Sequence, residues 1–298
     1  MNATGSFGPE DAVPEGRVLS PSATRRELTR LGHLPDIRLG QNFLVDGNIV
    51  RKSVRLAGIE AGDDVIEVGP GLGTLTAALL GAGAIVHAVE FDRRLYQFLN
   101  ESLVPSSGGR LHLMEGDAVR FPLAGYPADA DGGFKIVANL PYAISTPWMA
   151  AVLAGPLPSR MVLMLQAETA ARMTAPHGSK SFSATSIVLQ SAYLPTGTHK
   201  VSRACFHPRP DVDSTLIRLD LRPEPVRLFP ASTDLIRGFF RNRRKQIGSL
   251  LKTVDPELAD SFLVVLDEAG LTAQTRPEAI PLPVWHRFDR LVRTGSGD

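Results

Sequence analysis

Between Asp64 and Gln166 short apolar runs alternate with longer amphipathic ones, and no other feature narrows the fold as far. DVIEV (Asp64 to Val68) is followed by a glycine-rich turn and TLTAALLGAG, and AIVHAVE (Ala84 to Glu90) by FDRRLYQFLNESL. Then come LHLMEG (Leu111 to Gly116), KIVAN (Lys135 to Asn139) and MVLMLQ (Met161 to Gln166). Short runs of this kind read as buried strands, and strand–helix alternation at this spacing implies βαβ units on a parallel sheet. Around Tyr193 the rhythm changes. YLPTGTHKV and DSTLIRLDL read as late strands joined by the Pro-rich FHPRPDVD. Beyond about Pro223 the segments DLIRGFFRNRRKQIGSLL, PELADSFLVVLDEAG and LPVWHRFDRLV read as helices separated by Pro and Gly breaks. The expectation is a doubly wound α/β domain at 25–222 and a small helical domain at 223–298. Residues 1–24, rich in Gly, Pro, Ser and Glu, are expected to form a disordered tail.

Composition excludes some function classes. Only one cysteine, Cys205, is present, so an internal disulfide and a Cys-rich metal site are ruled out and no metal is expected. No apolar run approaches a membrane span, and the N-terminus lacks the apolar core of a signal peptide. A cytoplasmic protein fits these features. The net charge of +1 makes no whole-protein field, so any case for a polyanionic partner must come from local clusters.

Polar residues stand at three successive strand ends. VIEVGPGLGTLT sets Gly69, Gly71 and Gly73 between the first strand and its helix, with G-x-G-x-G spacing rather than the dinucleotide G-x-G-x-x-G. Alone this is a tight βα turn. Glu90 ends the second strand, where an acid can hold the two hydroxyls of a ribose, which favours a nucleoside-containing ligand. Asp117, after the third strand, either caps the next helix or accepts from an adenine amino group. KIVAN then runs into NLPYAIST, where a proline stops the strand and leaves an amide and a phenol at its end. Ligands of open α/β sheets bind at that carboxyl edge. There is no Gly-Lys-Ser/Thr phosphate loop, which argues against triphosphate hydrolysis.

LGQNFLVD, EVGPGLGTLT, VEFDRRL, EGDAV, NLPYAIST, QAE, FHPRPDVDS and FFRNRRKQI occur in this order from about Arg38 onward. Together they resemble the S-adenosylmethionine-dependent ribosomal RNA adenine N6-dimethyltransferases, and most closely their bacterial small-subunit (16S) branch, linked to kasugamycin sensitivity. The resemblance implies a class I methyltransferase (Rossmann-like) sheet and S-adenosylmethionine as cofactor. It implies that Asn42 and Leu44 sit over the cofactor, that Gly69 and Gly71 line its methionine part, and that Glu90 holds the ribose. It places Asp117 at the adenine amino group and Asn139 between cofactor and substrate. The chain departs from the family pattern at Ala143, where a polar residue usually follows the tyrosine.

The chemistry gives the Asn-Leu-Pro-Tyr stretch a reason. Adenine N6 is a poor nucleophile because its lone pair is delocalised into the ring. Accepting hydrogen bonds from N6–H holds the nitrogen in line with the methyl group and favours its pyramidal form. The Asn139 side-chain oxygen and the Leu140 carbonyl can do this if Pro141 fixes the turn. Tyr142 would stack on the adenine, which must be flipped out or unpaired, and Phe206 is the candidate second stacking partner. Arg237, Arg241, Arg243, Arg244 and Lys245 form a local basic cluster suited to RNA phosphates, and Arg51 to Arg55 form a weaker one. The expected partner is small-subunit ribosomal RNA in an immature subunit, bound by a monomer. Two other readings stand beside this one: a large-subunit rRNA methyltransferase of the resistance type, and a nucleic-acid-binding assembly or transcription factor on the same fold.

Overall fold

The computed structural model describes residues 19–36, 39–127 and 133–295. The expected disordered tail lies outside the described residues up to 18, but its last stretch is ordered. Helix α1 (Pro21–Arg30) starts there, with the Ser20 hydroxyl accepting from Ala23 N–H and Pro21 in the first turn. The following elements are β1 (Phe43–Leu44), α2 (Gly47–Ala57), β2 (Asp64–Val68), α3 (Thr74–Gly81), β3 (Ile85–Glu90), α4 (Arg93–Ser102), β4 (Leu111–Glu115), β5 (Lys135–Asn139), α5 (Ser145–Ala154) and β6 (Arg160–Gln166). Then come α6 (Ala167–Thr174), α7 (Ala184–Ala192), β7 (Tyr193–Val201), β8 (Phe206–His207), β9 (Ser214–Leu221), α8 (Pro230–Arg241), α9 (Ile247–Leu251), α10 (Pro256–Glu268) and α11 (Leu282–Gly295).

Seven strands form one sheet in the order β4-β3-β2-β5-β6-β9-β7, and β1 pairs with β8 in a separate two-stranded ladder. Strands β4, β3, β2, β5 and β6 run parallel, and β9 lies antiparallel to β6. The strand order turns back between β2 and β5. That leaves a crevice beyond their carboxyl ends, where a doubly wound sheet takes its ligand. The strands read as continuous apolar runs because helices cover both faces: Val65, Ile66, Val86, Ala88, Ile136, Val137 and Val162 are all fully buried. Among the described residues no helix is long and apolar enough to cross a membrane.

The chain divides into two compact units, but not at the expected boundary. One takes the residues up to Ala167 together with Thr196–Asp220; the other takes Glu168–Pro195 together with Leu221 onward. The expected 25–222 domain therefore gives up Glu168–Pro195. Ala175, Phe182 and Ile187 of that stretch bury themselves with Ile236, Phe239, Phe262, Trp285 and Phe288 in the core of the helical unit. The expected continuous helix through the basic cluster also breaks. Helix α8 ends at Arg241, residues 242–246 form a turn in which Lys245 N–H donates to Asn242 O (2.8 Å), and α9 follows.

Candidate active site

A cavity of about 260 Å³ opens at the carboxyl edge of the sheet, and Gly69, Gly71, Glu90, Asp117 and Asn139 all line it. It sits beyond the ends of β2, β3, β4 and β5, where the strand order turns back. The turn after β2 has the backbone only glycine adopts readily, with φ of +65° at Gly69 and +61° at Gly71. Space adds a second demand at Gly71, because a Cβ there would stand 3.1 Å from the Phe43 ring.

Glu90 is buried at the end of β3. One carboxylate oxygen accepts from Gly71 N–H (2.9 Å) and the other from Asp92 N–H (2.9 Å), so the acid also braces the glycine turn. Burial pushes its pKa up to about 7, against the pull of those N–H groups. Glu67, only 2% exposed, lines the same cavity. Burial pushes it up to about 8, with the neighbouring Glu90 charge adding to the rise. Its Oε2 has no hydrogen-bond partner. Sequence reasoning missed Glu67, although an acid inside the apolar run DVIEV was a visible signal. It also missed Phe91, which lines the cavity and is 59% exposed directly after Glu90. Asp117 is tied into its own turn after β4, with Oδ1 accepting from Val119 N–H (2.8 Å), and also lines the cavity.

Asn139 Nδ2 donates to the Asn42 carbonyl (3.0 Å), and Leu140 N–H donates to Met164 O (3.2 Å). The Leu140 side chain is buried at 1% exposure, so only its backbone can serve chemistry. Pro141 and Ala143 reach the cavity wall, whereas Tyr142 does not. The Tyr142 ring is half-buried, and its hydroxyl lies 2.8 Å from Ser214 Oγ.

Residues 39–44 form a strap along one wall of the cavity, and Asn42 and Leu44 are among its lining residues. Gln41 ties the strap down. Its Nε2 donates to Asp92 Oδ2 (3.0 Å), and its Oε1 accepts from Asp36 N–H (2.8 Å) and lies 3.0 Å from His33 Nε2. Gln41 is a further residue the sequence reading missed, for its partners are visible only in the fold. The strap ends in the two-pair ladder of Phe43 with His207 and Leu44 with Phe206. This ladder overturns the expectation for Phe206. At 4% exposure Phe206 belongs to the apolar core and lies outside the cavity lining, so it cannot offer a free face to a base here.

In the helical unit the basic cluster is less unbalanced than its local sequence suggested. Arg237 pairs with Asp234 (3.4 Å) and Arg243 with Glu278 (3.7 Å). Arg241, Arg244 and Lys245 are exposed and form no ion pair with any described residue. Among the described residues no group of three or more His, Cys, Asp or Glu side chains could hold a metal ion.

A family model described as ribosomal RNA adenine dimethylase matches residues 33–278. A protein of Opitutus terrae named ribosomal RNA small subunit methyltransferase A is 58% identical over 267 residues, covering 90% of this chain and 96% of its own length. A Moorella thermoacetica protein of the same name is 36% identical, covering 93% of this chain and 99% of its own. Among solved structures, a dimethyladenosine transferase from Plasmodium falciparum superposes with a TM-score of 0.70 at 24% identity, over 85% of this chain and 98% of its own. The 23S rRNA methyltransferase ErmE does so with 0.62 at 23%, over 85% and 100%. At those identities the two structures establish the fold, a class I methyltransferase sheet.

Proposed function

The chain belongs to the ribosomal RNA adenine dimethylase family, and on that premise we propose that it transfers methyl groups from S-adenosylmethionine to N6 of adenines in small-subunit ribosomal RNA, two methyls to each adenine. The relatives named for the small subunit favour that RNA over the large-subunit one. The reading takes the protein as a monomer that works in the bacterial cytoplasm on immature small subunits.

The cavity fits such a cofactor. Each Glu90 oxygen accepts only one backbone N–H, which leaves lone pairs for ribose hydroxyls. The glycine turn keeps its side of the cavity clear of side chains, and Asp117 can accept from an amino group. Asn42, Leu44 and Gly69 would complete the pocket. When bound, the cofactor supplies an electrophilic methyl group on a sulfonium sulfur. The protein's contribution is orientation. The observation that carries the reading is the hydrogen bond from Asn139 Nδ2 to Asn42 O, which fixes the amide so that Oδ1 is left to accept from the substrate. The Leu140 carbonyl, held beside it by Pro141, is the second acceptor for N6–H. Two acceptors localise the lone pair on N6 and stabilise the positive charge that develops there during attack. Orientation of this type lowers barriers by about 7–11 kcal/mol. Tyr142, anchored by Ser214, would flank the flipped base. Arg241, Arg244 and Lys245 would hold rRNA phosphates, with Arg237 and Arg243 contributing in exchange for their present carboxylate partners.

The test is transfer of labelled methyl groups to immature small subunits from cells lacking this protein, followed by mass-spectrometric mapping of the RNA. Dimethyladenosine in the small-subunit RNA is expected. Methylation confined to large-subunit RNA, or none, would overturn the assignment.

A further inference from the structure

We propose that a second rRNA-binding surface runs along α2 onto β7, made by Arg55, Arg51, Lys52, His199 and Lys200. It rests on the reading of the chain as an rRNA enzyme and adds a docking face that belongs to the catalytic unit itself.

The sequence of α2, GNIVRKSVRLA, holds three cations and no acid. Arg51 and Arg55 are four residues apart and share one helix face, with Cβ atoms about 5–6 Å apart, so their guanidinium groups can reach successive phosphates of one strand. Both are exposed and rim an open groove of about 540 Å³, whose floor of Val54, Ile59 and Ala78 is apolar and suits the face of an unstacked base or a ribose. Lys52 extends the line to the neighbouring strand, where its Nζ lies 3.1 Å from His199 Nδ1, and exposed Lys200 follows. An ammonium has only donors, so His199 accepts at Nδ1 and keeps its own proton on Nε2, a further donor for a phosphate.

These cations lack counter-charge, as do Arg241, Arg244 and Lys245 of the helical unit. Arg30 pairs with Glu27, Arg172 with Glu168 and Arg237 with Asp234, whereas Arg51, Lys52, Arg55 and Lys200 form no ion pair with any described residue. In a chain of net charge +1, contiguous uncompensated cations repel one another until a polyanion relieves them. Their extent, across a helix and a strand, suits a nucleic-acid backbone better than a single phosphate. Their direction suits the reaction as well. Helix α2 begins just past Leu44, which lines the cavity, and its other end is held at the amino edge of the sheet by Arg160 Nη1 donating to Ala57 O (2.9 Å) and Lys135 Nζ donating to Gly58 O (2.7 Å). At the helical rise of about 1.5 Å per residue, Arg51 lies about 8 Å and Arg55 about 14 Å beyond the Asp46 cap. RNA gripped there is led toward the catalytic edge.

The test measures binding to immature small subunits across a range of salt, for wild type, the charge-reversed pair R51E/R55E and the neutral pair R51Q/R55Q. The neutral pair should lose at least about tenfold in affinity at low salt, and the slope of log affinity against log salt should shrink by about 1.4–1.8 for two lost contacts. The reversed pair should lose more. Cofactor affinity, which reports folding, should stay at the wild-type value in the neutral pair. The same losses should appear with protein-free small-subunit RNA. Unchanged affinity and slope would overturn the proposal, as would lower affinity at an unchanged slope, and a loss seen only on the assembled particle would assign the face to a ribosomal protein instead. Wild-type methyl transfer to the same particles is the separate check on the reading beneath it.

Discussion

Asn139 and Asn42 lie 97 positions apart and meet through one hydrogen bond, from Asn139 Nδ2 to the Asn42 carbonyl over 3.0 Å. The bond couples the end of β5 to the strap along the cavity and orients an amide that lines it. Asn139→Asp keeps the size of the side chain but sets an acceptor against the Asn42 carbonyl. Removal of one group aimed at developing charge typically costs about 10²–10³-fold in rate. Single-turnover transfer should fall by that order, with a melting temperature close to wild type because the residue is only half-buried at a strand end. A wild-type rate would mean that the amide is structural.

Glu90 should matter twice. Loss of a charge-assisted bond to ribose is worth about 1.5–3 kcal/mol, or roughly 10–150-fold in cofactor affinity. Glu90→Ala also strands the Gly71 and Asp92 N–H groups, so the cofactor-free protein should lose stability as well. Glu90→Gln retains an acceptor oxygen for one of them and should separate the two effects. Calorimetric titration of the three proteins is the measurement, and equal affinities would remove Glu90 from the binding site.

Glu67 predicts a pH signature. Its pKa stands at about 8 in the fold against an ordinary 4.5, because burial penalises the charge. A carboxyl raised on folding stabilises the fold fully below its unfolded value and loses that contribution as pH climbs through the folded one. The cofactor-free protein should therefore be more stable at pH 5 than at pH 8.5, with Glu90 adding a smaller loss between about pH 4.5 and 7. Glu67→Gln resembles the protonated acid and should flatten the upper part of the profile and gain stability at pH 8.5. Thermal melts across that range check it, and an unaltered profile would show that Glu67 ionises without cost.

In the helical unit the free cations should carry RNA affinity. R241Q, R244Q and K245Q combined should flatten the salt dependence of subunit binding by about 2.1–2.7 in log–log slope. R243Q should act more weakly, since Glu278 already occupies that guanidinium. Equal slopes for wild type and triple variant would place the RNA surface elsewhere.

The site was legible where a single segment carries its own contradiction. Glu90, Asp117 and Asn139 are polar residues ending apolar strands, and such residues converge on one edge in any parallel sheet. Residues whose role depends on distant partners were not legible. Phe206 sits beside prolines like a presented side chain, yet its strand pairs with Leu44, far back in the chain, and both belong to one apolar cluster. The stretch from Glu168 to Pro195 follows a sheet strand and precedes another, yet its apolar residues complete a core built mainly by the C-terminal helices. The break between α8 and α9 has no Gly or Pro to mark it. Helix α1 does carry a start signal in Ser20 and Pro21, which the polar composition of the flanking residues outweighs.

The strap of residues 39–44 bears on how the proposed chemistry could repeat. Under the proposed chemistry each adenine consumes two cofactors, so the spent one must leave and a fresh one arrive between methyl transfers. The strap lies along one wall of the cavity, held by a two-pair ladder, the Gln41 bonds, the Asn139 amide and the burial of Phe43 and Leu44. The Asn139 bond is part of that fastening, so parting the strap would also free the amide that the proposed function assigns to the substrate. Were the strap to part for exchange, cofactor exchange and methyl transfer would exclude each other in time under the proposed chemistry.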